Sequence, residues 1–142
     1  MTGINNEDKD FLKSLTLLYV EDEEDARDQF TMFLRRMVGK LIVAVNGKEG
    51  LDLYHEQQPD IVVTDIQMPL MDGLTMVREI RKSSNSTQII ILTAFDQSDY
   101  LSTCEDLGVN IYISKPVDSS RLFNSLLAAA HTQMIGSQAA DR

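Results

Sequence analysis

The chain has 142 residues, 43% hydrophobic and 25% charged, with three prolines, seven glycines and one cysteine. That is enough for one domain that buries its own core without disulfide or metal staples. The net charge of −9 is concentrated: residues 1–28 hold nine acids against three bases, the other 114 hold thirteen against ten. An acidic chain without a basic stripe has no electrostatic footprint for a phosphate backbone or an anionic lipid surface, which argues against nucleic-acid and membrane partners. Cys104 alone cannot form an internal disulfide, and no Cys/His cluster is spaced for zinc. The N-terminus is polar, and no apolar run approaches the roughly 20 residues of a membrane span, so a cytoplasmic setting is expected.

Short β-rich runs alternate with longer segments of helical period. Residues 1–13 read as a lead-in, with Phe11 and Leu12 on the domain's edge and Asp8 and Asp10 solvated. Leu15–Val20 is the first strand. Ala26, Phe30, Phe33, Leu34 and Met37 then mark one face of a helix, and Gly39 is read as its stop. Leu41–Val45 is the second strand. Asn46 caps the next helix, with Glu49 placed to reach back in a capping box. Ile61–Thr64 is almost wholly apolar, as a strand buried on both faces should be. Asp72–Gly73 opens a helix with Leu74, Val77 and Ile80 inward. Ile89–Leu92 is the fourth strand, Asp96–Asp106 a weaker helix ended by Gly108, and Ile111–Ile113 the fifth strand. A last helix, capped by Asp118 or Ser119, runs to about His131. Residues 132–142 are small and polar and read as a flexible tail.

Five strand–helix units in strict alternation, with strands lacking period-2 polarity, imply an α/β fold: a doubly wound parallel sheet covered on both faces. In such sheets ligands bind outside the carboxyl ends of the strands. Four of the five ends carry a functional side chain: Glu21 and Asp22, Asp65, Thr93, and Lys115. The second strand ends in Val45–Asn46 and carries none, which makes it the edge strand and suggests the order 2-1-3-4-5.

Three carboxylates converging at one sheet edge repel. At about 5 Å each pair costs roughly 3 kcal/mol at an effective dielectric of 20. The cluster therefore calls for a cation, and oxygen ligands without imidazole or thiolate select a hard one, magnesium with manganese as an alternative. Lys115 and the Thr93 hydroxyl add a point charge and a donor. Together they outline a clamp for a phosphoryl group around one nucleophilic carboxylate.

The motifs LLYVEDEEDAR (17–27), IVVTDIQMPLMDG (61–73), IIILTAF (89–95) and GVNIYISKPV (108–117), in this order and spacing, resemble the CheY-like receiver domain of bacterial two-component response regulators over about residues 14–131. The resemblance implies a flavodoxin-like (βα)5 fold with Asp65 as the phospho-acceptor. Asp22 would bind Mg2+ directly, Glu21 mostly through water, and the backbone carbonyl of Gln67 would complete the protein's share of the metal shell. Thr93 would be the switch hydroxyl, Lys115 the phosphate-binding lysine, and Tyr112 the aromatic that turns inward as Thr93 moves. Pro116 would follow a cis bond. A sensor histidine kinase or phosphotransfer protein would be the donor. The fourth helix, fifth strand and fifth helix of the alternation would signal to a protein partner or an output domain absent from this chain; a homodimer through that face stays open. The chemistry would be self-modification with slow return, and no turnover enzyme is expected.

Glu21 stands where a second aspartate is common in this family. Gln67 and Phe95 flank the in-line path of water to the phosphoryl group, and bulky Phe95 is expected to lengthen its lifetime. Glu23, Glu24 and Asp25 fit a plain acidic helix start, Cys104 a buried structural thiol, and His55 and His131 surface positions. A haloacid-dehalogenase-like phosphohydrolase is the rival enzyme, but Gln67 leaves its general-acid position empty. A flavodoxin-like nucleotide module would need a glycine-rich first loop, and a degenerate receiver would lack some of the five site residues. Eleven residues after 131 are too few for an output module.

Overall fold

The computed structural model describes residues 6–94, 100–109 and 111–140. Eleven elements follow in order: α1 (Asn6–Leu12), β1 (Thr16–Val20), α2 (Glu24–Met37), β2 (Lys40–Ala44), α3 (Gly47–Gln57), β3 (Ile61–Asp65), α4 (Gly73–Ser83), β4 (Gln88–Thr93), α5 (Leu101–Asp106), β5 (Ile111–Ser114) and α6 (Ser119–Ala140). The five strands form one parallel sheet in the order β2-β1-β3-β4-β5, as the empty end of the second strand suggested.

Alternation along the strands feeds two cores. Leu17 and Tyr19 of β1 face one side with α1, α2 and α6, where Leu12, Leu34, Leu122 and Leu126 pack. Leu18 and Val20 face the other with α3, α4 and α5, where Tyr54, Met76, Ile80 and Cys104 pack. Every residue of β3 is buried, so the central strand is hydrophobic on both faces for a physical reason. Each fully buried aliphatic side chain contributes about 1.5–3 kcal/mol.

Helix starts follow the local chemistry. Asn46 accepts the Glu49 N–H at 2.8 Å, Asp72 accepts the Thr75 N–H at 2.8 Å, and Asp118 accepts the Ser120 N–H at 2.7 Å. Glu49 does reach back, but to the Val45 N–H at 3.1 Å, one residue before the cap. Gly108 has φ +75°, the left-handed stop expected of it.

Several expectations need correction. Gly39 does not end α2 by a left-handed turn; Val38 is the C-cap in extended conformation. Glycine is needed at 39 because a Cβ there would lie 2.3 Å from the Lys13 carbonyl oxygen. The lead-in contains a helix, and its Asp8 is buried, 3.1 Å from His131 Nδ1. Helix α6 does not fray at 131 but runs to Ala140, tied down by Gln133 Nε2 donating to the Asp60 carbonyl at 3.0 Å. Of the weaker helix expected from 96, the described part is α5 with a turn at Tyr100. Phe95 lies outside the described residues.

Candidate functional site

Parallel pairing in register brings the strand ends level. Val20 lies opposite Ala44 and Thr64, Asp65 opposite Leu92, and Thr93 opposite Ser114. The residues immediately beyond β1 therefore meet the last residue of β3, and Lys115 follows β5 beside them. The Lys115 N–H donates to the Thr93 carbonyl at 2.7 Å, which locks the ends of β4 and β5 together. The Lys115–Pro116 bond is cis, as the resemblance implies.

One carboxylate oxygen from each of Glu21, Asp22 and Asp65 lies within 4.8 Å of the other two. Asp22 is exposed; Glu21 and Asp65 are buried, at 1% and 6% accessibility. Lys115 Nζ forms a short hydrogen bond to Asp65 Oδ2 and stands 3.8 Å from Glu21 Oε1. Asp65 Oδ1 accepts the Ile66 N–H at 2.8 Å, so the Asp65 carboxylate is oriented from both oxygens.

One lysine against three carboxylates leaves the centre negative. Burial, together with Asp65 and Asp22, pushes the Glu21 carboxyl above its usual range, against the Glu23 N–H and Lys115, which pull it down. Burial works against the Lys115 ammonium, but the hydrogen bond and charge of Asp65, with Glu21 and Glu23, outweigh it and raise its pKa. Burial also raises the Tyr19 hydroxyl, with Glu21 and Asp65 adding to the shift, so it stays neutral beneath the site. The donor set, all carboxylate oxygen with excess negative charge, fits a hard divalent ion.

Close backbone packing fixes the Asp65 end of β3. The Gly73 N–H donates to the Ile66 carbonyl at 2.6 Å. A Cβ on Gly73 would lie 2.0 Å from the Asp65 carbonyl oxygen, so α4 approaches the site only because residue 73 has no side chain. Between them, Leu70 adopts φ 69° with the Met71 N–H on the Pro69 carbonyl at 2.8 Å, a strained γ-turn that leaves Leu70 82% exposed. Gln67 is exposed beside it.

Thr93 sits at the end of β4 with 9% accessibility. Tyr112 is half-buried on the α5 side, its hydroxyl donating to the Val109 carbonyl at 2.5 Å. On the opposite side a cavity of about 270 Å³ opens between Phe30, Leu92 and Val117, with Glu21 and Lys115 at its edge. Arg27 is a residue the sequence reading passed over: its guanidinium donates to the Glu21 carbonyl at 2.9 Å. A lone base in the acidic run 21–28 was the available clue.

The comparisons agree with this geometry. A family model for the response regulator receiver domain matches residues 17–127. Among curated relatives, the probable C4-dicarboxylate response regulator DctR of Priestia megaterium is 31% identical, over 80% of this chain and 51% of that protein. The probable transcriptional regulator ycf27 of Guillardia theta is 40% identical, over 75% and 41%. The chain thus spans about half the length or less of these relatives. Among solved structures, the N-terminal domain of an uncharacterized protein from Wolinella succinogenes superposes with a TM-score of 0.81 at 30% identity, covering 87% of this chain and 99% of that one. A response regulator receiver domain protein from Clostridium thermocellum gives 0.80 at 26%, covering 85% and 98%. The chain belongs to the response regulator receiver domains of two-component systems, a signalling family with the flavodoxin-like fold.

Proposed function

We propose that Asp65 accepts a phosphoryl group from a phosphohistidine of a sensor kinase or phosphotransfer protein. What supports this most is its placement: a carboxylate at the end of the central strand, bonded to Lys115 and within 4.8 Å of two further acids. A carboxylate oxygen of Asp65 attacks phosphorus, the P–N bond to the donor imidazole breaks, and an acyl phosphate forms. Glu21, Asp22, Asp65 and the Gln67 backbone carbonyl would hold Mg2+. When bound, that ion neutralises charge on the phosphoryl oxygens. Lys115 meets one of those oxygens, having left its bond to the free carboxylate, and the Thr93 hydroxyl moves to donate to another.

Thr93 withdraws from the end of β4, and Tyr112 moves into the space. The Val109 carbonyl that holds the Tyr112 hydroxyl belongs to the connection between α5 and β5, so the ring's position is tied to the face formed by α5, β5 and α6. With α1 counted, this is the face expected as fourth helix, fifth strand and fifth helix. Output is a population shift between two arrangements of that face, read by a partner protein or output domain in the cytoplasm. The return step is hydrolysis of the acyl phosphate, slowed by Phe95; Phe95→Ala speeds loss of the phosphoryl group, measured on labelled, Mg2+-loaded protein. Sustained turnover of a phosphomonoester would instead favour the hydrolase reading, which lacks a general acid at Gln67.

The test is labelling by acetyl phosphate with Mg2+, wild type beside Asp65→Asn. The wild type takes up one phosphoryl group and the variant takes up none; an unlabelled wild type contradicts the proposal.

A further inference from the structure

The turn from β1 into α2 delivers two of the three carboxylates, and it does so without an ordinary helix cap. Glu23, at the N-cap, makes no side-chain capping bond. Residue 21 is braced instead from two sides. Its Oε2 accepts the Glu23 N–H at 3.2 Å, and its carbonyl accepts Arg27 Nη1 at 2.9 Å. The Arg27 backbone N–H in turn donates to the Glu23 carbonyl at 2.9 Å. Arg27 therefore holds both ends of the segment 21–23. With Oε2 occupied by this brace, Oε1 is the Glu21 oxygen facing Lys115 at 3.8 Å.

Nothing in helix electrostatics asks for an arginine here. It is the fourth residue of α2, near an N-terminus where the macrodipole favours acids. It is also the only base between residues 14 and 34. Its side chain is half-buried against the turn and reaches a main-chain carbonyl rather than a carboxylate, as a geometric brace would.

We propose that Arg27 is a positioning residue for the cation site: its bond to the Glu21 carbonyl holds the 21–23 turn so that Glu21 and Asp22 stay converged on Asp65. This rests on the metal reading given above. A guanidinium at this place acts on a cation in two opposed ways. As a charge it repels the ion, so its removal tightens binding. As a brace it preorganises the ligands against their mutual repulsion, so its removal weakens binding. The brace outweighs the charge.

The test is calorimetric titration of the full chain with Mg2+, without any phosphodonor, for wild type, Arg27→Met and Arg27→Lys. Thermal unfolding in EDTA is measured alongside. Arg27→Met weakens Mg2+ binding about tenfold, while Arg27→Lys, whose ammonium can donate to the same carbonyl, stays within about threefold of wild type. Arg27→Leu, which likewise has no donor, carries the same expectation as the methionine variant should that one fold poorly. Unchanged or tighter binding by Arg27→Met, or a lower unfolding temperature with no change in affinity, overturns the inference and leaves the metal reading intact. A wild type that binds no Mg2+ overturns the metal reading and the inference together.

Discussion

The two ends of the sheet differ in what their polar groups meet. At the end opposite the site, half-buried Asp60 and Arg81 and buried Asp8 each meet partners within the protein. The Asp60 carboxylate accepts the Thr16 N–H at 2.9 Å, and its carbonyl takes the Gln88 N–H at 3.0 Å and Gln133 Nε2 at 3.0 Å. Arg81 donates to the carbonyls of Leu107, Ser84 and Thr87 at 2.7, 3.2 and 2.9 Å. Buried Asp8 has His131. At the carboxyl end, three carboxylates share one lysine, and two of the three are buried. A closed polar network stabilises a fold; a net negative one is held for something that arrives.

Three substitutions test this contrast. Arg81→Met removes the donor to three carbonyls and should cost about 3 kcal/mol of unfolding free energy, read from urea denaturation. The labelling rate per folded molecule should stay at the wild-type value, because the staple lies away from the site. Asp22→Asn should act the other way round. It removes one ligand and one repulsion, weakening Mg2+ binding by more than about tenfold while metal-free stability rises by up to about 1 kcal/mol. A loss of metal-free stability would show that Asp22 is held by the fold rather than for a cation. His131→Ala is the smallest: the pairing of half-exposed His131 with Asp8 contributes less than about 1 kcal/mol, with labelling unchanged.

The same contrast explains what was legible in the sequence. Strands β1, β3 and β4 announce themselves as apolar runs, and the polar residue that ends each run belongs to the candidate site, so strand order and candidate site emerge together. Asn46 and Asp72 are local caps and could be read from spacing alone. Gly39 could not, because its reason is the Lys13 carbonyl 2.3 Å from where a Cβ would stand. Asp8 looks solvated until α1 is laid on α6, and α6 looks finished at His131 until Gln133 finds Asp60. Arg27 was hidden because its partner is a backbone carbonyl, which carries no mark in a sequence. Local chemistry is written in residue order; contacts between distant main-chain atoms are not.

Asp65, and no other residue, is proposed to take the phosphoryl group. The direct measurement is to label the chain with acetyl phosphate and Mg2+, reduce it with borohydride and locate the modified residue by tandem mass spectrometry. Reduction of an aspartyl phosphate leaves homoserine in place of the aspartate, so homoserine is expected at position 65 and nowhere else. Homoserine at another aspartate, or phosphate retained on a serine, threonine or histidine, would contradict it.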